Sequence, residues 1–171
     1  ISVSTDKSPE DLKKDMLTSK VFVTKFEEKG MLKHIDCYSK NSGASVSDSS
    51  SIKRVSSPLA LNEFSIGLSN FQSELHPNFP KNIVVFKSLS TLLMYSNPKA
   101  IGRFVQVLIA KIKNSGGGAL FTIEEGMHEK NVLVTLEHLM DGIIEIKKEN
   151  DKIMVKARGI DGYSDWNEIK I

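Results

Sequence analysis

The run Ile83-Val-Val-Phe86 is the most apolar short stretch of the chain, and the segment Lys87-Ser-Leu-Ser90 follows it directly. Short apolar runs that end at polar residues are typical of strands buried on both faces of a parallel sheet. We therefore expect a central strand at residues 83–86. Because parallel strands need long crossover connections, helices should precede and follow this strand in the sequence.

Helical periodicity is present on both sides of residues 83–86. The segment that Pro58 opens, and the one after Asn97-Pro98, both carry apolar residues at a spacing of three or four, which predicts two helices that pack on the sheet. The apolar positions are Leu61, Phe64, Leu68 and Phe71 in the first, and Ile101, Phe104, Val105, Leu108, Ile109 and Ile112 in the second.

Further strands and helices alternate along the chain, and this alternation predicts an α/β fold with a mostly parallel sheet flanked by helices. A hairpin turn at residues 149–152 predicts an antiparallel hairpin at the C-terminal edge of that sheet. The serine-rich stretch 40–57 is interpreted as a flexible loop, and residues 1–171 as one domain. The strands 83–86 and 119–123 are expected to be the most buried and to lie inside the sheet. The other expected strands are 1–5, 31–38, 141–146 and 166–171; the expected short helices begin at Ser8-Pro9 and span 132–140.

The composition limits the class of protein. The 171 residues carry a net charge of +2, which does not favour nucleic acid as a partner, and no apolar run is long enough to cross a membrane. Cys37 is the single cysteine, which excludes an internal disulfide and favours the cytoplasm. The sequence opens at Ile1 within an expected strand, so we expect further sequence upstream.

Six short motifs, in order, resemble those of the KaiC-like branch of the RecA superfamily, of the type found in archaea. The resemblance covers nearly the whole chain and implies a RecA-like fold without the Walker A region. The motifs are Ser8-Pro-Glu-Asp-Leu12, Ile35-Asp-Cys-Tyr-Ser39, Val84-Val-Phe-Lys-Ser-Leu-Ser90, Arg103-Phe-Val-Gln-Val-Leu108, Leu139-Met-Asp-Gly-Ile-Ile-Glu-Ile146 and Lys156-Ala-Arg-Gly159.

The departures from the family pattern concern its ATPase chemistry. No G-x-x-x-x-G-K-[ST] phosphate loop occurs in these residues. Lys87, followed by Ser88, stands where the resemblance implies the Walker B aspartate that supports magnesium. Asp6 and Lys7 stand where it implies the carboxylate pair that orients the attacking water. No metal is predicted, and ATP is a candidate ligand, bound weakly or in trans. We also expect Lys87 to contact either a phosphate or the carboxylate of Asp6.

Lys156 and Arg158 match the family residues that reach the nucleotide of a neighbouring subunit. The resemblance thus implies nucleotide contacts in trans, and assembly into homo-oligomers or with a RecA/KaiC-like paralogue. A second interpretation is that the two cations solvate an edge strand and prevent edge-to-edge pairing.

Other reactive residues have structural explanations. Cys37 on a strand is interpreted as a buried apolar residue, and Ser88 as the cap of the next helix. The cluster Glu124, Glu125 and His128 is interpreted as solvated charge rather than as a metal site.

Three functions remain open. We favour a catalytically impaired KaiC-like module that is nucleotide-responsive or acts in protein interaction and regulation. The first alternative is an ATP-binding ATPase whose Walker A segment lies upstream, with Asp6 completing the metal site. The second is a RecA-like accessory of DNA recombination, which only the superfamily suggests.

Overall fold

Five parallel strands form one sheet in the computed structural model, which describes residues 1–159 and 162–169. Their order is β3-β2-β1-β4-β5, and helices connect most of them. The predicted α/β fold is confirmed. The strands are β1 (Ser2–Ser4), β2 (His34–Asp36), β3 (Ile52–Arg54), β4 (Ile83–Lys87) and β5 (Gly118–Phe121); the helices are α1 (Pro9–Thr18), α2 (Thr24–Glu28), α3 (Leu61–Leu75), α4 (Leu89–Tyr95) and α5 (Pro98–Asn114).

Side-chain caps begin α1 and α5 where the sequence predicts these helices to start. The Ser8 hydroxyl accepts a hydrogen bond from the backbone N–H of Asp11 at 3.1 Å, and Pro9 occupies the first turn of α1. The Asn97 side chain caps α5 in the same way through the N–H of Lys99 at 2.8 Å. These bonds satisfy backbone donors that a helix cannot pair internally.

The core of this sheet lies where β4 meets α3 and α5. The rings of Phe64, Phe86 and Phe104 pack edge to face, with centroids 5.5–6.4 Å apart. Such arrangements add to the burial of apolar area. Phe64, Phe86 and the predicted stripe residue Val105 are all buried, so the two predicted helices do pack on the sheet.

The two strands expected to be the most buried, β4 and β5, are both partly exposed. In β4, Val84 and Phe86 are buried, whereas Ile83 and Val85 are 62% and 38% exposed. Since side chains alternate between faces, β4 is covered on one face only. Within the described residues, the expectation that β5 lies inside the sheet is wrong, because β5 is the edge strand beside β4, and Leu120 is 46% exposed.

The serine-rich stretch 40–57 contains a strand that the sequence interpretation missed. β3 pairs in parallel with β2, and Arg54 at its end is buried. The Arg54 guanidinium lies 2.5 Å from Asp36 of β2 and 2.6 Å from Glu10 of α1. These ion pairs hold β3 against the sheet, so the stretch 40–57 is not loop throughout.

The chain divides into two compact units, Ile1–Met127 and His128–Ile171. The one-domain interpretation of residues 1–171 stays a prediction. The second unit consists of one helix and a four-stranded antiparallel sheet. Its elements are α6 (Lys130–Glu137), β6 (Gly142–Glu149), β7 (Lys152–Gly159), β8 (Gly162–Tyr163) and β9 (Asn167–Ile169).

The predicted hairpin is formed by β6 and β7, but it belongs to this separate sheet and not to the edge of the parallel one. Asn150 and Asp151 make its turn with φ of 49° and 61°. Gly142 and Gly159 face each other at the open end, where a Cβ on Gly159 would lie 2.8 Å from the Cα of Gly142. The expected last strand, 166–171, is observed as β9, and residues 170–171 lie outside the described residues.

No helix within the described ranges is long and apolar enough to span a membrane.

Candidate functional site

Asp6 and Lys87 meet at the carboxyl ends of two adjacent strands. β1 and β4 are parallel neighbours, with Ser4 opposite Lys87. This register brings Asp6, two residues past β1, next to Lys87. The Lys87 Nζ lies 3.2 Å from the Asp6 Oδ2, and the two side chains are 34% and 35% exposed. Of the two contacts expected for Lys87, with a phosphate or with Asp6, the structure shows the one with Asp6.

Lys7 does not join this pair. Its ammonium lies 2.6 Å from the carboxylate of Asp15 in α1. The hydrogen bond with Asp15, together with its charge, raises the pKa of Lys7. The structure thus brings together Asp6 and Lys87, and it directs Lys7 toward helix α1.

Ser88 lies in a strained backbone conformation between β4 and α4. Its φ is +60° and its ψ is 85°, a left-handed conformation that costs a non-glycine residue about 1–3 kcal/mol. Its N–H donates to the Thr122 Oγ1 at 2.8 Å, and its hydroxyl donates to the Glu124 Oε2 at 3.1 Å. The same hydroxyl accepts from the Thr91 N–H at 3.3 Å, so the predicted cap of the next helix is confirmed.

Thr5 completes this arrangement from the β1 side. Its hydroxyl lies 3.1 Å from the carbonyl oxygens of both Lys87 and Ser88. We call Thr5, Asp6, Lys87, Ser88, Thr122 and Glu124 the carboxyl-end cluster. It joins the ends of β1, β4 and β5 by hydrogen bonds and one ion pair.

Three members of the carboxyl-end cluster were missed by sequence reasoning: Thr5, Thr122 and Glu124 as a partner of Ser88. One signal could have found them, because polar residues that follow neighbouring parallel strands gather at one edge of the sheet. Chemically, the cluster offers one cation and several hydroxyl groups, while its two carboxylates are both engaged by other side chains.

Lys156 and Arg158 lie on β7, which is the middle strand of the antiparallel sheet. The interpretation that these cations protect an edge strand is therefore wrong. Arg158 lies 2.8 Å from Glu137 and 3.2 Å from Glu145. The hydrogen bond with Glu137 raises the pKa of Arg158, and Glu145 contributes to the same shift. The Lys156 ammonium lies 5.9 Å from the centre of the Trp166 ring.

Both side chains are partly accessible to solvent, but Arg158 is paired with carboxylates and Lys156 lies near the Trp166 ring. Arg158 is 35% exposed and faces two carboxylates. A cation in this environment has to leave at least one carboxylate before it can contact a phosphate on another molecule. The role in trans stays a prediction.

The interpretation of Cys37 as a buried apolar residue is confirmed. Cys37 is 2% exposed, and burial raises the pKa of its thiol, which disfavours the reactive thiolate. In the cluster of Glu124, Glu125 and His128, the Glu124 carboxylate accepts the Ser88 hydroxyl. Across residues 1–159 and 162–169, no three His, Cys, Asp or Glu side chains are grouped so that they could hold a metal ion, and the interpretation of this cluster stays a prediction.

Comparison with known proteins identifies the family of the chain. Residues 3–146 match the model of a family of unknown function, DUF7504. The chain belongs to DUF7504. A search of curated proteins gave no match.

Solved structures show the fold of this DUF7504 chain. An uncharacterised protein from Pyrococcus horikoshii, PH0321, described as in complex with an unknown peptide, superposes with a TM-score of 0.67 at 13% identity, covering 99% of this chain and 79% of its own. A KaiC-like protein from Pyrococcus horikoshii OT3, PH0186, superposes with a TM-score of 0.58 at 12% identity, covering 99% of this chain and 67% of its own. The DUF7504 chain therefore has the KaiC-like, RecA-type fold that its motifs implied.

Proposed function

We propose that this DUF7504 chain is a KaiC-like module in which ATP hydrolysis is impaired and which acts by binding other proteins. The single observation that carries the first part is the ion pair between Lys87 and Asp6 at 3.2 Å. It lies at the carboxyl end of β4, whose sequence resembles the Walker B motif.

Electrostatics explains why this pair opposes hydrolysis. Phosphoryl transfer depends on a magnesium ion and on positive groups arranged around the γ-phosphate. Lys87 replaces the acid at the metal position with a cation, which repels a divalent ion. Asp6, whose Oδ2 lies 3.2 Å from the Lys87 Nζ, is already in an ion pair with Lys87. A lysine here can still contact a phosphate directly, so ATP is proposed to bind without magnesium, weakly or in trans.

The protein-binding part of the proposal is supported by a structural neighbour. PH0321 has the same fold over 99% of this chain and is described as in complex with an unknown peptide. We extend peptide or protein binding to the DUF7504 chain on that basis. We propose that such a protein-binding module has a regulatory role. The motif resemblance implies its partners, which are further copies of the same chain or a RecA-like paralogue.

A nucleotide titration of the full-length protein tests the proposal. A fluorescent ATP analogue is titrated into the wild type, Lys87→Asp and Lys99→Asp, with and without magnesium. Lys99 is an exposed lysine in the first turn of α5 and serves as the control. We expect magnesium to leave the affinity of the wild type and of Lys99→Asp for the ATP analogue unchanged. For Lys87→Asp, we expect magnesium to increase this affinity. Wild-type binding that magnesium strengthens by about tenfold or more, equal to about 1.4 kcal/mol, would contradict the proposal.

A further inference from the structure

Large apolar side chains are exposed along one stretch of the first unit, residues 17–31. We call this stretch the α1–α2 segment, since it runs from the end of α1 through α2. Single exposed apolar side chains are common, whereas a group of them on one part of a surface marks an interaction site. The exposed side chains are Leu17 (58%), Val21 (51%), Phe22 (64%), Phe26 (40%) and Met31 (42%).

Charged groups, rather than apolar packing, hold α2 to the rest of the unit. None of the residues that the structure describes in α2 is buried. The Glu27 Oε1 lies 2.8 Å from the His34 Nε2 in β2 and 3.1 Å from the Lys13 Nζ in α1. Most helical stability in proteins comes from the packing of an apolar face. A helix held in this way can therefore gain packing from a partner.

The same contacts place α2 away from the carboxyl-end cluster. His34 is the first residue of β2, and just before this strand the N–H of Met31 donates to the carbonyl of Phe26 at 2.8 Å. β1 separates β2 from β4 and β5. Because α2 lies near the amino end of β2, and the carboxyl-end cluster lies at the opposite ends of β1, β4 and β5, the two surfaces can be tested separately.

Three lysines give the α1–α2 segment a positive charge. Lys20, Lys25 and Lys29 are exposed, and no carboxylate within residues 1–159 and 162–169 pairs with them. The Lys25 ammonium lies 5.1 Å from the centre of the Phe26 ring, so positive charge and apolar surface are adjacent. A complementary ligand has apolar side chains with carboxylates beside them.

Exposed acids on the same two helices favour a protein over a lipid surface as this ligand. Asp11 and Asp15 of α1 and Glu28 of α2 are exposed. A flat anionic membrane meets all the charges of a surface together, and stable attachment usually needs two anchoring signals. A narrow protein segment contacts only the side chains along its path, so it can reach the lysines and avoid these carboxylates.

We propose that the α1–α2 segment binds an acidic amphipathic segment of a partner protein. Apolar side chains of the partner pack on Phe22 and Phe26, and its aspartate or glutamate side chains contact Lys20, Lys25 and Lys29. The inference rests on the proposed function of protein binding and names the surface and the chemistry of the partner. Because exposed charges contribute to this contact, binding should weaken as the salt concentration rises.

Hydroxyl-radical oxidation of the full-length protein, read by mass spectrometry, tests whether the segment is accessible. We expect Phe22, Phe26 and Met31 to be oxidised in the protein alone and protected when a ligand is bound. Protection of all three side chains without any ligand would overturn the inference, because the protein itself would then cover the segment.

A phage-displayed library of random linear peptides, selected on the full-length protein, tests the chemistry of the partner. We expect enriched peptides in which aspartate or glutamate alternates with apolar residues. Phe22→Ser should weaken binding of the best peptide by about tenfold or more, because buried aromatic side chains provide much of the binding energy at interfaces. The control Ile66→Ser, which changes a 61% exposed apolar residue of α3, should bind as the wild type does.

Reversing one charge tests the role of the lysines. Lys25→Glu places a carboxylate against the acidic peptide and should weaken binding by about tenfold at low salt, and by less at high salt. Lys99→Glu, at an exposed position in the first turn of α5, is the matched control and should leave binding unchanged.

Several outcomes would overturn the inference. Enriched peptides without acidic residues, or peptide binding that Phe22→Ser and Lys25→Glu leave unchanged, would place the protein-binding surface elsewhere and leave the proposed function standing. Binding to phosphatidylserine vesicles that Lys25→Glu abolishes would assign the segment to a membrane. Self-association of the wild type that Phe22→Ser abolishes would assign it to a second copy of this chain. Absence of any enriched peptide would also overturn the inference, while the nucleotide titration, which does not involve this segment, tests the proposed function independently.

Discussion

Arg54 and Asp36 form an ion pair in the interior of the parallel sheet. Asp36 is fully buried, and its second oxygen accepts the N–H groups of Tyr38 and Ser39 at 2.9 Å. Arg54 is 7% exposed and also reaches Glu10. Each charge in this group has a partner, which is the condition under which buried charges are tolerated.

Removing Arg54 should destabilise the protein strongly. Arg54→Met leaves the Asp36 carboxylate buried without its cation, and breaking a buried pair in this way costs about 3–5 kcal/mol. The free energy of unfolding from urea denaturation measures this loss. The control is Lys53→Met on the same strand, since Lys53 pairs with Asp48 near the surface and an exposed pair contributes about 0–1 kcal/mol. Equal effects of the two substitutions would contradict the buried-pair account.

At the scale of single elements, β7 carries both residues that resemble contacts in trans. Because it is the middle strand of its sheet, its side chains are positioned by strands on both sides. Arg158→Ala removes an exposed, doubly paired cation and should change the free energy of unfolding by about 1 kcal/mol or less. The same substitution should have a clear effect on the oligomeric state of the full-length protein, because the proposed partner of Arg158 is a neighbouring subunit.

Light scattering with and without nucleotide measures this second effect. Lys152→Ala is a matched control, since Lys152 makes an exposed pair with Glu168 in the same sheet. A wild type that stays monomeric at high concentration in both conditions would contradict the proposed assembly.

The elements that sequence reasoning predicted well are those with long apolar patterns or clear caps. The apolar stripe and the start after Asn97-Pro98 predict α5, and both are local properties. β3 was missed because three residues among many serines give no periodicity, and the pairing that stabilises it comes from Asp36, eighteen positions before Arg54. The apolar composition of β5 suggests an interior strand, but composition does not show how many neighbours a strand has.

The Asp6–Lys87 contact could be predicted because it depends only on strand adjacency. Once β1 and β4 are parallel neighbours, residues just past their carboxyl ends are close. The hydrogen bonds of Ser88 with Thr122 and Glu124 could not be predicted. They require the left-handed backbone conformation of Ser88, and a serine at this position does not indicate that conformation.

At the scale of the whole molecule, we propose that the fold is kept while the ATPase chemistry is impaired. The KaiC-like fold is retained, while Lys87, at the position where the motif resemblance implies a metal-supporting acid, is paired with Asp6. A shared fold does not by itself transfer an activity. The charge of Lys87 is therefore the property to reverse.

Steady-state phosphate release from ATP is the most direct measurement, made on the full-length protein beside Lys87→Asp, with Lys99→Asp as the control. We predict release at the background level for the wild type and the control, and magnesium-dependent release that is gained in Lys87→Asp. Substantial release by the wild type that Lys87→Asp abolishes would contradict the account, because Lys87 would then support hydrolysis rather than impair it.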